Sequence, residues 1–207
     1  GPILDFQYTD DWLEPTRGWR GRTTLINGGR FDRRFNSIEV NCGLYLPLGS
    51  KVYWAVAGDW GHFFSAGDGD DAKVFYQGGF RSVRGYGERS IFPSYSTKEI
   101  DEDGDEIDVV HPGLTPQYVR VTNEFRVNLP MQLKNFQLVQ FIDWARVSDA
   151  DDIYQVGEAM GAGVGIRYRL PFLTIRLDYT LKRNFRDLLE MEPFALNRIS
   201  FDLSQAI

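Results

Sequence analysis

The sequence contains few of the residues from which catalytic and metal sites are built. It has one cysteine, Cys42, and two histidines among 207 residues, which excludes an internal disulfide and any cysteine-rich metal site. His62 and His111 lie far apart without ligand spacing around them, and the sequence has no Gly-x-Ser-x-Gly elbow and no phosphate-binding loop. We therefore expect no catalytic residue, no metal and no cofactor, and we interpret Cys42 as a small apolar residue on a strand.

Long apolar runs and an excess of basic residues are also missing. No segment approaches the roughly 18 to 20 apolar residues of a membrane helix, so the chain can cross a bilayer only as a closed barrel of strands. The formal charge of −6 offers no basic field to nucleic acid, and we expect no such partner. Residues 1–5 lack the features of a signal peptide, so we expect the chain to be processed or to be part of a longer protein.

Alternation of apolar and polar residues is the strongest pattern that the sequence does have. From Val119 to Leu129 the apolar residues face one way and Arg, Thr, Glu and Asn face the other, with Asn123 as the exception. Turn signals containing Gly or Pro separate the periodic segments. About eight strands are predicted, over residues 21–27, 38–46, 52–60, 119–129, 136–147, 163–170, 174–180 and 198–203.

The polar face of these strands decides what kind of sheet they form. Small soluble barrels fill their interior with apolar side chains, whereas one face here collects Arg, Glu, Asp and Asn, and the other collects Val, Ile, Leu and aromatic residues. The pattern predicts an all-β fold, an antiparallel transmembrane β-barrel with a watery lumen. A soluble sandwich that hides the apolar face is the alternative.

A strongly acidic segment lies between the third and fourth of these predicted strands. Residues 99–108 hold seven carboxylates in ten positions and resemble half of a calcium loop. With Gly104 as the turn glycine, Val110 falls where a bidentate Glu is required. We interpret the segment as a hydrated extracellular loop, because dense like charge resists packing; cation binding is the alternative.

One motif is specific enough to indicate a family. Within the string 75–87, the residues Val83, Arg84, Gly85 and Tyr86 resemble the Val-Arg-Gly-Phe/Tyr loop of the bacterial surface antigen family, the BamA/TamA-like outer-membrane assembly barrels. In that family the loop starts outside the cell and folds back into the barrel lumen. The resemblance implies an inward-folded loop around residues 62–117.

The arginine of this motif requires acidic partners. A guanidinium in a partly dehydrated lumen is costly unless carboxylates accept its hydrogen bonds. Glu124 falls on the polar face of its strand by alternation, and Asp143 lies on the next strand. The family has acids at the corresponding positions, where they bind the loop arginine. We therefore predict that Arg84 pairs with Glu124 and Asp143.

The resemblance extends over nearly the whole chain. Residues 14–21 are similar to a Pro-Thr-x-Gly turn that opens a mid-barrel strand, and residues 198–207 are similar to the closing strand, whose signal would be Phe201, Leu203 and Ile207. Ser204 and Ile207 depart from the usual glycine and aromatic residue. Family members have sixteen strands preceded by POTRA domains. Residues 1–207 are thus expected to be the C-terminal part of one barrel domain, without the POTRA domains and first strands.

The family resemblance implies a function. It indicates a non-enzymatic barrel of the bacterial outer membrane, or of the outer membrane of a bacterially derived organelle, that accepts unfolded strands at a lateral gate by edge pairing. The implied partners are outer-membrane lipid, an unfolded β-barrel client or secreted protein, and accessory periplasmic subunits. The alternatives are a two-partner secretion pore and a passive channel or barrel-borne enzyme. POTRA modules upstream of the chain would favour the first two functions.

Overall fold

The computed structural model describes most of the chain as β-strands. The described residues are 1–12, 14–30, 33–64, 75–79, 81–91, 94–100, 106–112, 117–130, 133, 135–148, 157–170, 173–183 and 196–205. The strands within them are β1 (Ile3–Thr9), β2 (Gly18–Arg30), β3 (Arg33–Pro47), β4 (Val52–Phe63), β5 (Ser94–Ile100), β6 (Glu106–Pro112), β7 (Gln117–Asn128), β8 (Phe136–Ser148), β9 (Gly157–Leu170), β10 (Leu173–Arg183) and β11 (Leu196–Gln205). Among these residues, no helix is long and apolar enough to span a membrane.

The strands form one large antiparallel sheet and one hairpin. In the described part of the chain the large sheet has nine strands in the order β1-β2-β3-β4-β7-β8-β9-β10-β11, and β5 pairs with β6 alone. This confirms the all-β, antiparallel fold class. Each predicted strand corresponds to a strand of the large sheet, and β1 is the additional one. Its residues Leu4, Phe6 and Tyr8 alternate with Asp5, Gln7 and Thr9, so the signal for β1 was present in the sequence.

The two faces of the sheet differ as the alternation predicts. On the outer face, Phe125 is 44% exposed and Leu177 is 46% exposed, while Asp178 beside Leu177 is fully buried on the inner face. Large apolar side chains exposed along every strand of the large sheet except β4 are suited to lipid contact and would be unfavourable in water. The inner face carries the charged residues of β7, β9 and β10 and faces the lumen.

The register places the connections at two opposite ends. Thr9 pairs with Gly18, Pro47 with Tyr53 and Leu170 with Leu173, so β1–β2, β3–β4 and β9–β10 are joined at one end. We call it the short-turn end. At the other end the chain leaves β4 and returns to β7, which pair directly with each other. The residues between them, 64–116, are called the lumen loop below.

The acidic segment is flanked by two paired strands, which the sequence did not predict. Glu99 lies in β5 and Glu106 in β6, and these two strands pair in antiparallel register from Ser94 with Pro112 to Ile100 with Glu106. Lys98 and Glu106 form an exposed ion pair at 3.2 Å, which offsets part of the like-charge repulsion. Residues 101–105, on which the cation alternative depends, lie outside the described residues.

Candidate functional site

The lumen loop packs an apolar cluster against the inner face of the sheet. Val83 is fully buried and Ile91 is 5% exposed. They pack with inward-facing residues of β7, β8 and β9, namely Tyr118, Ala145, Val147 and Ala159, and with Phe75 and Tyr86 of the loop itself. The part of the loop around Val83 and Ile91 is therefore held against the inner face of the sheet, and the sheet residues that it packs against are called its seat below.

This seat explains why the alternation in β8 is irregular. Val139, Phe141, Ala145 and Val147 all face inward and are buried, whereas β7, β9 and β10 carry mostly polar residues on that face. A strand that contacts an apolar loop on its inner face and lipid on its outer face needs apolar residues on both faces. The lapse from strict alternation therefore marks the place where the loop docks.

The guanidinium of Arg84 forms the centre of the site. Its Nε donates to Asp143 Oδ2 at 2.6 Å and its Nη2 donates to Asp143 Oδ1 at 2.7 Å, which is a bidentate pair. Its Nη1 donates to Glu124 Oε1 at 2.7 Å and, more weakly, to Asp178 Oδ2 at 3.4 Å. The backbone N–H of Arg84 also donates to Asp143, at 3.1 Å. The loop residue is thereby bound to β7, β8 and β10 at once.

Burial and stacking complete the environment of this arginine. Arg84 is 5% exposed, and its Cζ lies 3.5 Å from the ring centroid of Phe141, so an aromatic face covers one side of the guanidinium. Burial by itself would lower the pKa of Arg84, but its hydrogen bonds to Asp143 and the charges of Glu124, Asp143 and Asp178 raise it above its ordinary value. Arg84 therefore stays charged.

Two further arginines share the acids that bind Arg84. Arg126 donates through Nε to Glu124 Oε2 at 2.8 Å, so each oxygen of Glu124 accepts from a different arginine. Arg167 is bound to Asp178 and lies 3.8 Å from Glu124. The negative charges of Glu124 and Asp178 are therefore balanced by bound arginines, as buried charges require.

Two glycines allow the backbone of the motif to come this close to the wall. Gly85 has a φ of 90°, a conformation that an L side chain rarely adopts, and it turns the chain immediately after Arg84. Gly161 on β9 lies under Arg84, and a methyl group built on it would overlap the carbonyl oxygen of Arg84. The Gly161, Gly163 and Gly165 stripe of β9 therefore makes room for the site.

The structure brings together three residues that the sequence analysis named, Arg84, Glu124 and Asp143. Val83 lies in the apolar cluster, and Tyr86 Oη donates to the carbonyl of Met160 at 3.3 Å. The sequence analysis missed Asp178 and Phe141. Alternation in β10 had already placed Asp178 on the polar face, so a search for acids on every polar face would have found it.

The other named residues lie away from this site. In β11, Phe201 pairs with Leu177 and Leu203 pairs with Ile175, and Ile207 lies outside the described residues. Cys42 is exposed on β3. Within the described residues no group of three or more His, Cys, Asp or Glu could hold a metal ion.

Comparisons with known proteins agree with this architecture. The model of the Omp85 superfamily domain matches residues 4–206. The crystal structure of BamA from Haemophilus ducreyi lacking POTRA domains 1–3 is similar to the chain, with a TM-score of 0.68 at 20% identity, and the match covers 97% of this chain and 40% of that one. No curated protein matches the sequence. The solved structure supports the fold, and the family match covers nearly every residue. The chain therefore belongs to the Omp85 superfamily, which indicates the bacterial outer membrane as its location.

Proposed function

We propose that this chain is the C-terminal part of an outer-membrane barrel that inserts or translocates unfolded proteins, and that Arg84 latches the lumen loop inside it. The observation that carries the proposal is the binding of one loop arginine to acids on three strands, β7, β8 and β10. A loop that merely covered an opening would not need buried charges, which are costly to desolvate. Ion pairs from one residue to three strands are suited to holding those strands in fixed positions relative to one another.

The latch lies close to the edge of the sheet that would receive a client. In the described residues β11 is the last strand of the sheet and pairs only with β10, so its other edge presents N–H and C=O groups that a further strand can bind. The ion pair between Asp178 and Arg84 connects β10, the neighbour of β11, to the lumen loop. In this proposal the latch holds β10 and β11 while an incoming strand pairs at a lateral gate.

The proposal requires no catalytic residue. Strand pairing and transfer of apolar side chains into lipid supply the free energy of insertion. The partners are membrane lipid around the apolar face, an unfolded β-barrel client or secreted protein at the edge strand, and accessory periplasmic subunits at the short-turn end.

An insertion assay with the full-length protein tests this function. In phospholipid vesicles, we expect Arg84→Ala to slow folding of a urea-unfolded β-barrel client at least about tenfold, which corresponds to about 1.4 kcal/mol, because the loop and β10 lose their common anchor. Folding is followed by the heat-modifiable mobility of the client. Arg81→Ala, which removes an exposed arginine of the same loop, should leave the rate within about twofold.

The same vesicles distinguish the two transport roles. A client that gains protease protection within the bilayer supports insertion, and one that appears free inside the vesicle supports a secretion pore. A wild-type rate for Arg84→Ala, or equal slowing by Arg81→Ala, would contradict a role for the latch in either process.

A further inference from the structure

A second segment enters the lumen from the short-turn end. Residues 10–17 connect β1 to β2, and within them Glu14 is 6% exposed. A carboxylate in a connecting segment is normally solvated. The burial of Glu14 therefore needs a specific explanation, and the side chains around it provide one.

Glu14 lies between two arginines of the inner face. Its Oε2 accepts from Arg126 Nη1 of β7 at 3.2 Å, and its Oε1 accepts from Arg176 Nη2 of β10 at 2.8 Å. Arg126 also binds Glu124, through Nη2 at 2.7 Å. The order of contacts is Arg176, Glu14, Arg126, Glu124 and Arg84, in which acids and bases alternate without a break.

The segment is built to hold Glu14 in this position. The carboxylate of Asp10 accepts from the backbone N–H groups of Thr16 and Arg17, both at 2.9 Å, and Asp11 accepts from the N–H of Glu14 at 2.9 Å. Burial by itself would raise the pKa of Asp10, but the hydrogen bonds from Thr16 and Arg17 lower it below its ordinary value. The turn therefore stays braced by an ionised Asp10 near neutral pH.

We propose that Glu14 is a positioning residue of the latch, acting through Arg126 and Glu124 on Arg84. Without Glu14, Arg126 keeps one acid instead of two, so its guanidinium is held less firmly and can shift together with Glu124. Glu124 Oε1 then no longer lies where it can accept the hydrogen bond from Arg84 Nη1. Glu14 and the lumen loop reach the inner face of the sheet from opposite ends. The series of ion pairs couples their positions.

The inference rests on the latch of the proposed function, but its test does not require a client. The full-length protein in detergent micelles is treated with trypsin, and cleavage after Arg81 and Arg89 is measured by mass spectrometry. Because a protease needs an extended segment, the cleavage rate reports how often the lumen loop leaves its seat. The insertion assay then separately reports whether loop release affects a client.

The expected result is faster cleavage in the isosteric variant Glu14→Gln. We expect an increase of about 5- to 30-fold, the factor that a loss of one or two kcal/mol produces in an equilibrium. Arg176→Gln removes only the ion pair between Glu14 and β10, so we expect a smaller increase in the cleavage rate. The matched control is Asp5→Asn, which removes the carboxylate of an exposed ion pair with Arg22 and should leave cleavage unchanged.

A double substitution separates positioning from a general loss of stability. In the presence of Arg84→Ala the loop is already released, so adding Glu14→Gln should increase cleavage by less than twofold. Unchanged cleavage in both Glu14→Gln and Arg176→Gln would overturn the inference. So would an equal increase in Asp5→Asn, or a Glu14→Gln effect that persists in full when Arg84 is absent.

Discussion

Replacing Asp143 by Asn is expected to destabilise the protein by about 3 to 5 kcal/mol, the cost of removing one partner from a buried ion pair. Asp143 is fully buried and accepts three hydrogen bonds from Arg84, two from the guanidinium and one from the backbone. Asn keeps the shape of the side chain but lacks the charge, and it cannot accept the same three bonds. Guanidinium unfolding of the full-length protein in phospholipid vesicles measures the loss.

Asp59 offers a control for this result. It forms an ion pair with Arg120 on the same inner face, but the Arg120 side chain is 21% exposed, so water can compensate the charge that is left. We expect Asp59→Asn to cost only roughly 1 kcal/mol. Equal losses for Asp143→Asn and Asp59→Asn would show that burial against the lumen loop adds nothing to the pair.

Replacing Gly161 by Ala is the second large expected effect, with a loss of about 1 to 3 kcal/mol. The added methyl would overlap the carbonyl oxygen of Arg84, and a backbone atom cannot rotate away as a flexible side chain can. The loop must therefore rise from its seat, which lengthens the bonds between Arg84 and its acids. The same unfolding titration measures the change, and trypsin cleavage of the loop should increase with it.

Gly21→Ala should change stability in the opposite direction. A methyl at Gly21 would have its nearest neighbour, the carbonyl oxygen of Asn41, at 4.0 Å. Without a clash, Ala in place of Gly restricts the unfolded chain and stabilises by about 0.4 to 1 kcal/mol. If Gly161→Ala were also stabilising, the close approach of Arg84 to β9 would be wrong.

The membrane-facing strands could be predicted from the sequence because the two faces of a barrel strand contact different solvents. Lipid outside and water inside impose alternation on β7, β9 and β10, and no tertiary information is needed to see it. The pattern weakens in β8 because the lumen loop replaces water there with Val83 and Ile91. The hairpin of β5 and β6 was not predicted because its many charged residues interrupt the apolar–polar alternation by which a strand is recognised.

The site could be predicted only in part. Glu124 follows from alternation together with the family resemblance, and Asp143 follows from the resemblance, because each lies at a position that the motif arginine requires. Asp178 also lies on the polar face of its strand, but its proximity to Arg84 depends on where β10 lies relative to the lumen loop, which only the fold shows. Glu14 lies in a turn without periodicity, so only the fold shows that it faces inward.

The most direct test of the latch is a double-mutant cycle between Arg84→Gln and Asp143→Asn, read as the free energy of unfolding in vesicles. Each single substitution removes one charge of the pair and leaves the other less compensated, although Arg84 keeps Glu124 and Asp178 when Asp143 is replaced. The double substitution removes both charges of the pair. We therefore predict that the double variant loses at least about 2 kcal/mol less than the sum of the two singles. Additive losses would contradict the account, because they would mean that Arg84 and Asp143 do not bind each other in the membrane.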